Sequence, residues 1–133
     1  MTIPESFPKE VRDEHFAIAE AFDEILAQYE GYCEPIPQDN KLVKRILSFV
    51  IDVINFCVEQ YDFVRIREYQ TFLAQYEYEF LYGPSRDDSN YLDLEEGCVT
   101  EYFRELNTNE RLTREQLLQV KERYCKVHRQ LSH

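Results

Sequence analysis

One stretch constrains this chain more than any other. Between Leu42 and Val58 nearly every residue is apolar: Val43, Ile46, Leu47, Phe49, Val50, Ile51, Val53, Ile54, Phe56, Cys57. The polar residues Lys41, Lys44, Arg45, Ser48, Asp52, Asn55, Glu59 and Asp62 recur at helical period and form one narrow stripe. A helix that is apolar over most of its circumference is buried on most sides. It is either the centre of a bundle or half of a subunit seam. Neither Gly nor Pro occurs from Lys41 to Tyr82, 42 residues that would make a rod of about 63 Å as one helix. A compact domain of 133 residues has a radius of gyration near 14 Å. A break is therefore expected near Tyr61–Arg65, where Tyr-Asp-Phe-Val is aromatic and β-branched.

The remaining segments read as helices too. Ser6 and Pro8 mark a start, and Ile18, Phe22, Ile25 and Tyr29 then share a face until Gly31. Pro35 and Pro37 make an extended connector, after which Asp39 can cap the apolar helix. Ile66, Tyr69, Leu73, Tyr76 and Phe80 form the next stripe, with Tyr76 expected to be half-buried and Gly83-Pro84 as a stop. A further helix is read through Leu92, Val99, Tyr102, Phe103 and Leu106. The last has the clearest start: Thr113 and Gln116 make a capping box, flanked by Leu112 and Leu117 as a hydrophobic staple. Its stripe is Leu117, Val120, Tyr124, Val127 and Leu131. With only 3 Gly and 5 Pro, a many-turned β fold is excluded. The expectation is one all-α domain over 1–133, a compact bundle of four to five helices with a central, mostly buried helix at about 41–60.

Charge narrows the partners. The formal charge of −11 is uneven: −8 over 1–40, −1 over 41–82, −6 over 83–110 and +4 over 111–133. Nucleic acid and anionic membrane want a basic face, so neither is expected; a basic protein partner fits better. The longest apolar stretch, 46–58, is too short to span a bilayer. Met1 to Glu5 carries no basic or apolar leader pattern, so a cytoplasmic location is expected. Cys33, Cys57, Cys98 and Cys125 contain no C-x-x-C pair and read as reduced, packed thiols. Cys125 and His128 stand at i, i+3 and could face one metal ion.

Tyrosines crowd the Gly83-Pro84 stop among carboxylates. Tyr78, Tyr82, Asp87, Asp88, Tyr91, Asp93, Glu95 and Glu96 have the composition of a surface that recognises a basic protein, rings filling pockets while acids meet Lys and Arg. The run Tyr82-Gly83-Pro84-Ser85-Arg86-Asp87-Asp88-Ser89, followed by Glu96-Gly97-Cys98-Val99-Thr100-Glu101, resembles a region of the colicin-type DNase immunity proteins. There a Tyr-Tyr-Pro turn leads into an acidic loop that blocks a basic nuclease. By this resemblance Tyr82 stands for one of those tyrosines and Asp87 and Asp88 for the loop; Gly83 departs from the pattern, and Asn90 to Glu95 is extra length.

The first functional expectation is a non-enzymatic inhibitor, immunity-type protein or assembly factor, needing no cofactor. A second starts from Glu20-x-x-Asp23 and Glu59-x-x-Asp62, each placing two carboxylates on one helix face. Two such pairs on neighbouring helices resemble the all-α nucleoside-triphosphate pyrophosphohydrolases, which hold Mg²⁺ on such acids. A third is a structural subunit, for instance of a homodimer, with the apolar helix as its seam.

Overall fold

The structure, a computed structural model, describes residues 3–28, 40–77 and 110–131. Four helices lie in these segments: α1 (Lys9–Gln28), α2 (Asn40–Glu59), α3 (Ile66–Tyr76) and α4 (Arg114–Leu131). The architecture is an all-α bundle, as the spacing of apolar residues predicts. The Gly83-Pro84 stop, the helix read through Leu92–Leu106, the Gly31 terminus and the Asp39 cap lie outside the described residues.

Helix α2 is the centre. It packs most extensively on α4, then on α1, and touches α3. Val43, Ile46, Leu47, Phe49, Val50, Val53, Ile54 and Cys57 are all buried. Both sides of its apolar circumference are thus covered within one chain, and no second copy is needed to bury it. Lys41, Arg45, Asp52 and Glu59 form the exposed edge.

The chain does break after α2, but the instrument is a carboxylate. Asp62 Oδ1 accepts hydrogen bonds from the backbone N–H of Val64 (2.8 Å) and of Arg65 (3.3 Å). The Asp62 carbonyl accepts from Ile66 N–H at 2.9 Å and so opens α3. A short side chain that satisfies its own following amides outcompetes helix continuation. Phe63 and Val64, the bulky residues of the turn, point outward and are 61% and 77% exposed.

At the N-terminus the Pro8 carbonyl accepts from Arg12 N–H at 3.1 Å, and α1 begins at Lys9. Ser6 does not cap it: its hydroxyl shares a 2.8 Å hydrogen bond with the Tyr69 hydroxyl on α3. Phe7 enters the core at 2% exposure, with ring contacts to Phe56, Tyr69 and Phe72. The capping box of α4 is formed reciprocally, Gln116 N–H to Thr113 Oγ1 at 3.2 Å and Thr113 N–H to Gln116 Oε1 at 2.9 Å. Leu112 and Leu117 on either side of it are both buried.

Tyr76 corrects the sequence reading. It is fully buried, stacked on Phe49 with ring centroids 4.8 Å apart. Its neighbour Glu77 is buried as well and accepts a hydrogen bond from the Tyr124 hydroxyl on α4.

Candidate functional site

The register of α1 on α2 decides which acids can act together. Glu14 on α1 and Arg45 on α2 form a two-pronged ion pair, Nη2 to Oε1 at 2.6 Å and Nε to Oε2 at 3.0 Å. Phe7 meets Phe56, and His15 meets Phe49. Residue numbers that rise along α1 therefore meet numbers that fall along α2: the helices run antiparallel.

That register separates the two acidic pairs. From the Glu14–Arg45 pair, Glu20 and Asp23 lie toward the start of α2, whereas Glu59 and Asp62 lie at and beyond its end. At about 1.5 Å of rise per residue the pairs are on the order of 30 Å apart. They cannot share an ion. Asp62 is in addition committed to the α2–α3 turn, and all four acids are exposed. Among the described residues no group of three or more His, Cys, Asp or Glu could hold a metal ion. Cys125 and His128 do not make one either; His128 Nε2 lies 2.9 Å from Ser48 Oγ, joining α4 to α2.

The acidic and tyrosine-rich residues Tyr78, Tyr82, Asp87, Asp88, Tyr91, Asp93, Glu95 and Glu96 lie outside the described residues. A second surface of the same composition lies within them. The inward face of α1 carries His15 and Ile18, both buried, with Val11, Ala19 and Phe22 partly so. The outward face carries Asp13, Phe16, Glu20, Asp23 and Glu24, all exposed, at spacings of three, four and three to four. Those spacings make one stripe about 100° wide, because each residue turns the helix by about 100°. Phe16 lies toward one edge of it, beside Asp23, with 60% of its surface in water. None of the four carboxylates forms an ion pair among the described residues. Lys9 and Arg12, which precede Phe16 on the same helix, are the bases nearest the stripe.

The sequence held the signal for this face. Phe16 falls opposite the Ile18–Phe22–Ile25 stripe and has acids three residues before it and four and seven after it. An exposed aromatic ring set among acids offers a partner apolar area to cover beside charges to pair.

The exposed edge of α2 near Glu14 carries an electrostatic cost of its acids. Asp52, one turn past Ser48 on α2, has its carboxyl raised above the usual range, first by desolvation and then by the Glu14 charge. Arg45 answers from the other side, its hydrogen bond to Glu14 holding the guanidinium still more firmly protonated.

Comparison with known protein families, with characterised proteins and with solved structures finds no match for this chain. The functional reading therefore rests on the surface alone.

Proposed function

We propose that this protein is a non-enzymatic interaction module that binds a basic protein through acidic, aromatic-bearing surface and acts by occluding it, as an inhibitor, immunity-type protein or assembly factor does. The observation that carries this reading is the outward face of α1. Four carboxylates without ion-pair partners among the described residues share a stripe with an exposed phenylalanine. An exposed ring costs solvation free energy unless a partner covers it, and unpaired acids around it select for Lys and Arg. The tyrosines and acids of 78–96 would extend the same chemistry, in the proposal, along a second segment.

Charge adds a kinetic component. A net charge of −11 attracts a cationic partner at a distance and raises its encounter rate. Salt weakens that attraction, since the screening length is about 8 Å at physiological ionic strength.

The test uses the whole chain as bait in its native source, beside a bait carrying Phe16→Ser, Glu20→Lys and Asp23→Lys. A basic protein retained by the first and lost from the second supports the reading. Its association rate, measured by stopped flow, should fall at least about tenfold between low salt and 0.5 M or so. A partner that binds both baits equally, or at a rate indifferent to salt, rejects it.

A further inference from the structure

The turn between α2 and α3 and the segment leading into α4 form a second exposed surface, of opposite chemistry. Phe63 and Val64 are among the four most exposed large apolar side chains of the described residues. Over Phe63 lies the Arg111 guanidinium, 4.6 Å from the ring centroid, and over Tyr61 lies that of Arg114 at 5.5 Å. Arg65 stands in the same turn, with only a loose 3.8 Å approach to Asp62. Arg111 and Arg114 meet no carboxylate among the described residues.

Stacking fixes these cations without satisfying them. A guanidinium held over a ring gains from the π face without using its N–H donors. Those donors can grip a carboxylate in two-pronged fashion. The backbone beneath is held as well. Gln70 binds Glu110 O and Leu112 N–H, and Tyr61 donates to Leu112 O at 2.6 Å. Arg111 is therefore carried on a segment pinned on both sides of it. Two guanidiniums held over rings beside a two-residue apolar knob make a docking patch, and the groups it lacks are carboxylates and an apolar side chain.

We infer that this patch docks an acidic segment of another protein, one whose Asp or Glu side chains engage Arg111 and Arg114 while an apolar or aromatic residue covers Phe63 and Val64. Charge complementarity selects this occupant. A nucleic acid would meet the same arginines, but its unbroken line of phosphates would also face the exposed Glu59, Asp62, Glu110 and Glu115 at the border. A short acidic segment offers only the few charges that the patch can pair. This inference is independent of the α1 reading, since it concerns other residues and a partner of opposite sign.

The probe is a short random copolymer of glutamate and tyrosine, a few charges long, labelled and titrated against the full chain by fluorescence anisotropy. A glutamine–tyrosine peptide and a single-stranded oligonucleotide serve as comparisons. Saturable binding of the acidic copolymer is expected, weakened about tenfold or more by Arg111→Glu with Arg114→Glu. Phe63→Ser should weaken it without any change of charge, and Phe16→Ser with Glu20→Lys on α1 should leave it intact. Phe63 is exposed, so this variant keeps the test standing if the double reversal does not fold. Any one of three results overturns the inference: no saturation by about 1 mM copolymer, affinity unmoved by the folded variants at these positions, or oligonucleotide binding through the same arginines as tight as the copolymer's.

Discussion

The side-chain amide of Gln70 and the backbone of Leu112 are locked together across a gap of 42 residues: Leu112 N–H donates to Gln70 Oε1 at 2.8 Å. The other half of the same amide donates to Glu110 O at 3.2 Å. Gln70 is only 8% exposed, and its bond to Leu112 N–H is made away from water, while the one to Glu110 O is partly buried. Gln70→Ala leaves a buried N–H without its acceptor, which costs about 1–3 kcal/mol. The Glu14–Arg45 pair is the useful contrast, because its side chains keep 37% and 43% of their surface exposed. Despite its good geometry, Glu14→Gln should cost about 1 kcal/mol or less. Urea unfolding of both variants checks the order; a larger loss at Glu14 would reverse it.

A wider contrast separates the centre of α2 from the outward face of α1. Ile46 and Ile54 are fully buried among α1, α3 and α4 side chains. Ile46→Ala or Ile54→Ala should lower the unfolding free energy by about 2–5 kcal/mol, the lost transfer energy plus the cavity left behind. Phe16→Ala removes a larger side chain, yet should change stability by no more than about 0.5 kcal/mol, because that ring is already in water. Equilibrium denaturation of the three variants decides it. A large loss at Phe16 would mean that the ring is structural, and the α1 contact surface would go with it.

Much of this arrangement was legible because it is written in local spacing. The narrow polar stripe of α2 announces a helix buried on most sides, and Thr113 with Gln116 announces the start of α4. Both are properties of neighbours in sequence. The depth of Tyr76 is not such a property. Its burial depends on Phe49 and His15, brought by other helices, and a stripe of period 3.6 says which face is inward but not how much will cover it. The Gln70 clamp and the Glu77–Tyr124 bond were illegible for the same reason, since each joins residues 40 or more apart. The Arg111–Phe63 stack is likewise a product of tertiary approach. The acidic pairs failed in the opposite direction: each is real as a local i, i+3 feature, but only the antiparallel register tells that Glu20 and Glu59 sit at different ends.

His15 predicts a pH dependence. It is 4% exposed and ringed by Phe16, Phe49, Phe72 and Tyr76 at centroid distances of 5.3 to 6.2 Å. Burial in first place lowers its pKa below the usual 6.5. The unfolded chain then binds a proton that the folded chain refuses over the window from 6.5 down to the lowered value. Stability rises with pH wherever the unfolded state holds more protons, so acidification through that window must weaken the fold. The slope from one such group is at most about 1.4 kcal/mol per pH unit. His15→Leu should flatten the curve of unfolding free energy as pH falls below 6.5. An unchanged slope in that variant would assign the effect elsewhere.

Two thiols of the described residues should differ sharply in reactivity. Cys57 lies on the buried side of α2 at 1% exposure, and burial pushes its thiol up to about 12. The thiolate, the only form that attacks a disulfide reagent, is therefore scarce at Cys57 at pH 8. Cys125 on α4 is half-buried, and its route to solvent is partly open. In a chain with Cys33→Ser and Cys98→Ser, an aromatic disulfide reagent should modify Cys125 in the native state. It should reach Cys57 only as fast as the bundle opens. Added urea below the unfolding midpoint should then speed Cys57 steeply and Cys125 little, because only the first needs α2 to separate from its neighbours. Equal rates at the two sites in the absence of denaturant would place Cys57 outside the dry interior, and with it the centre of the bundle.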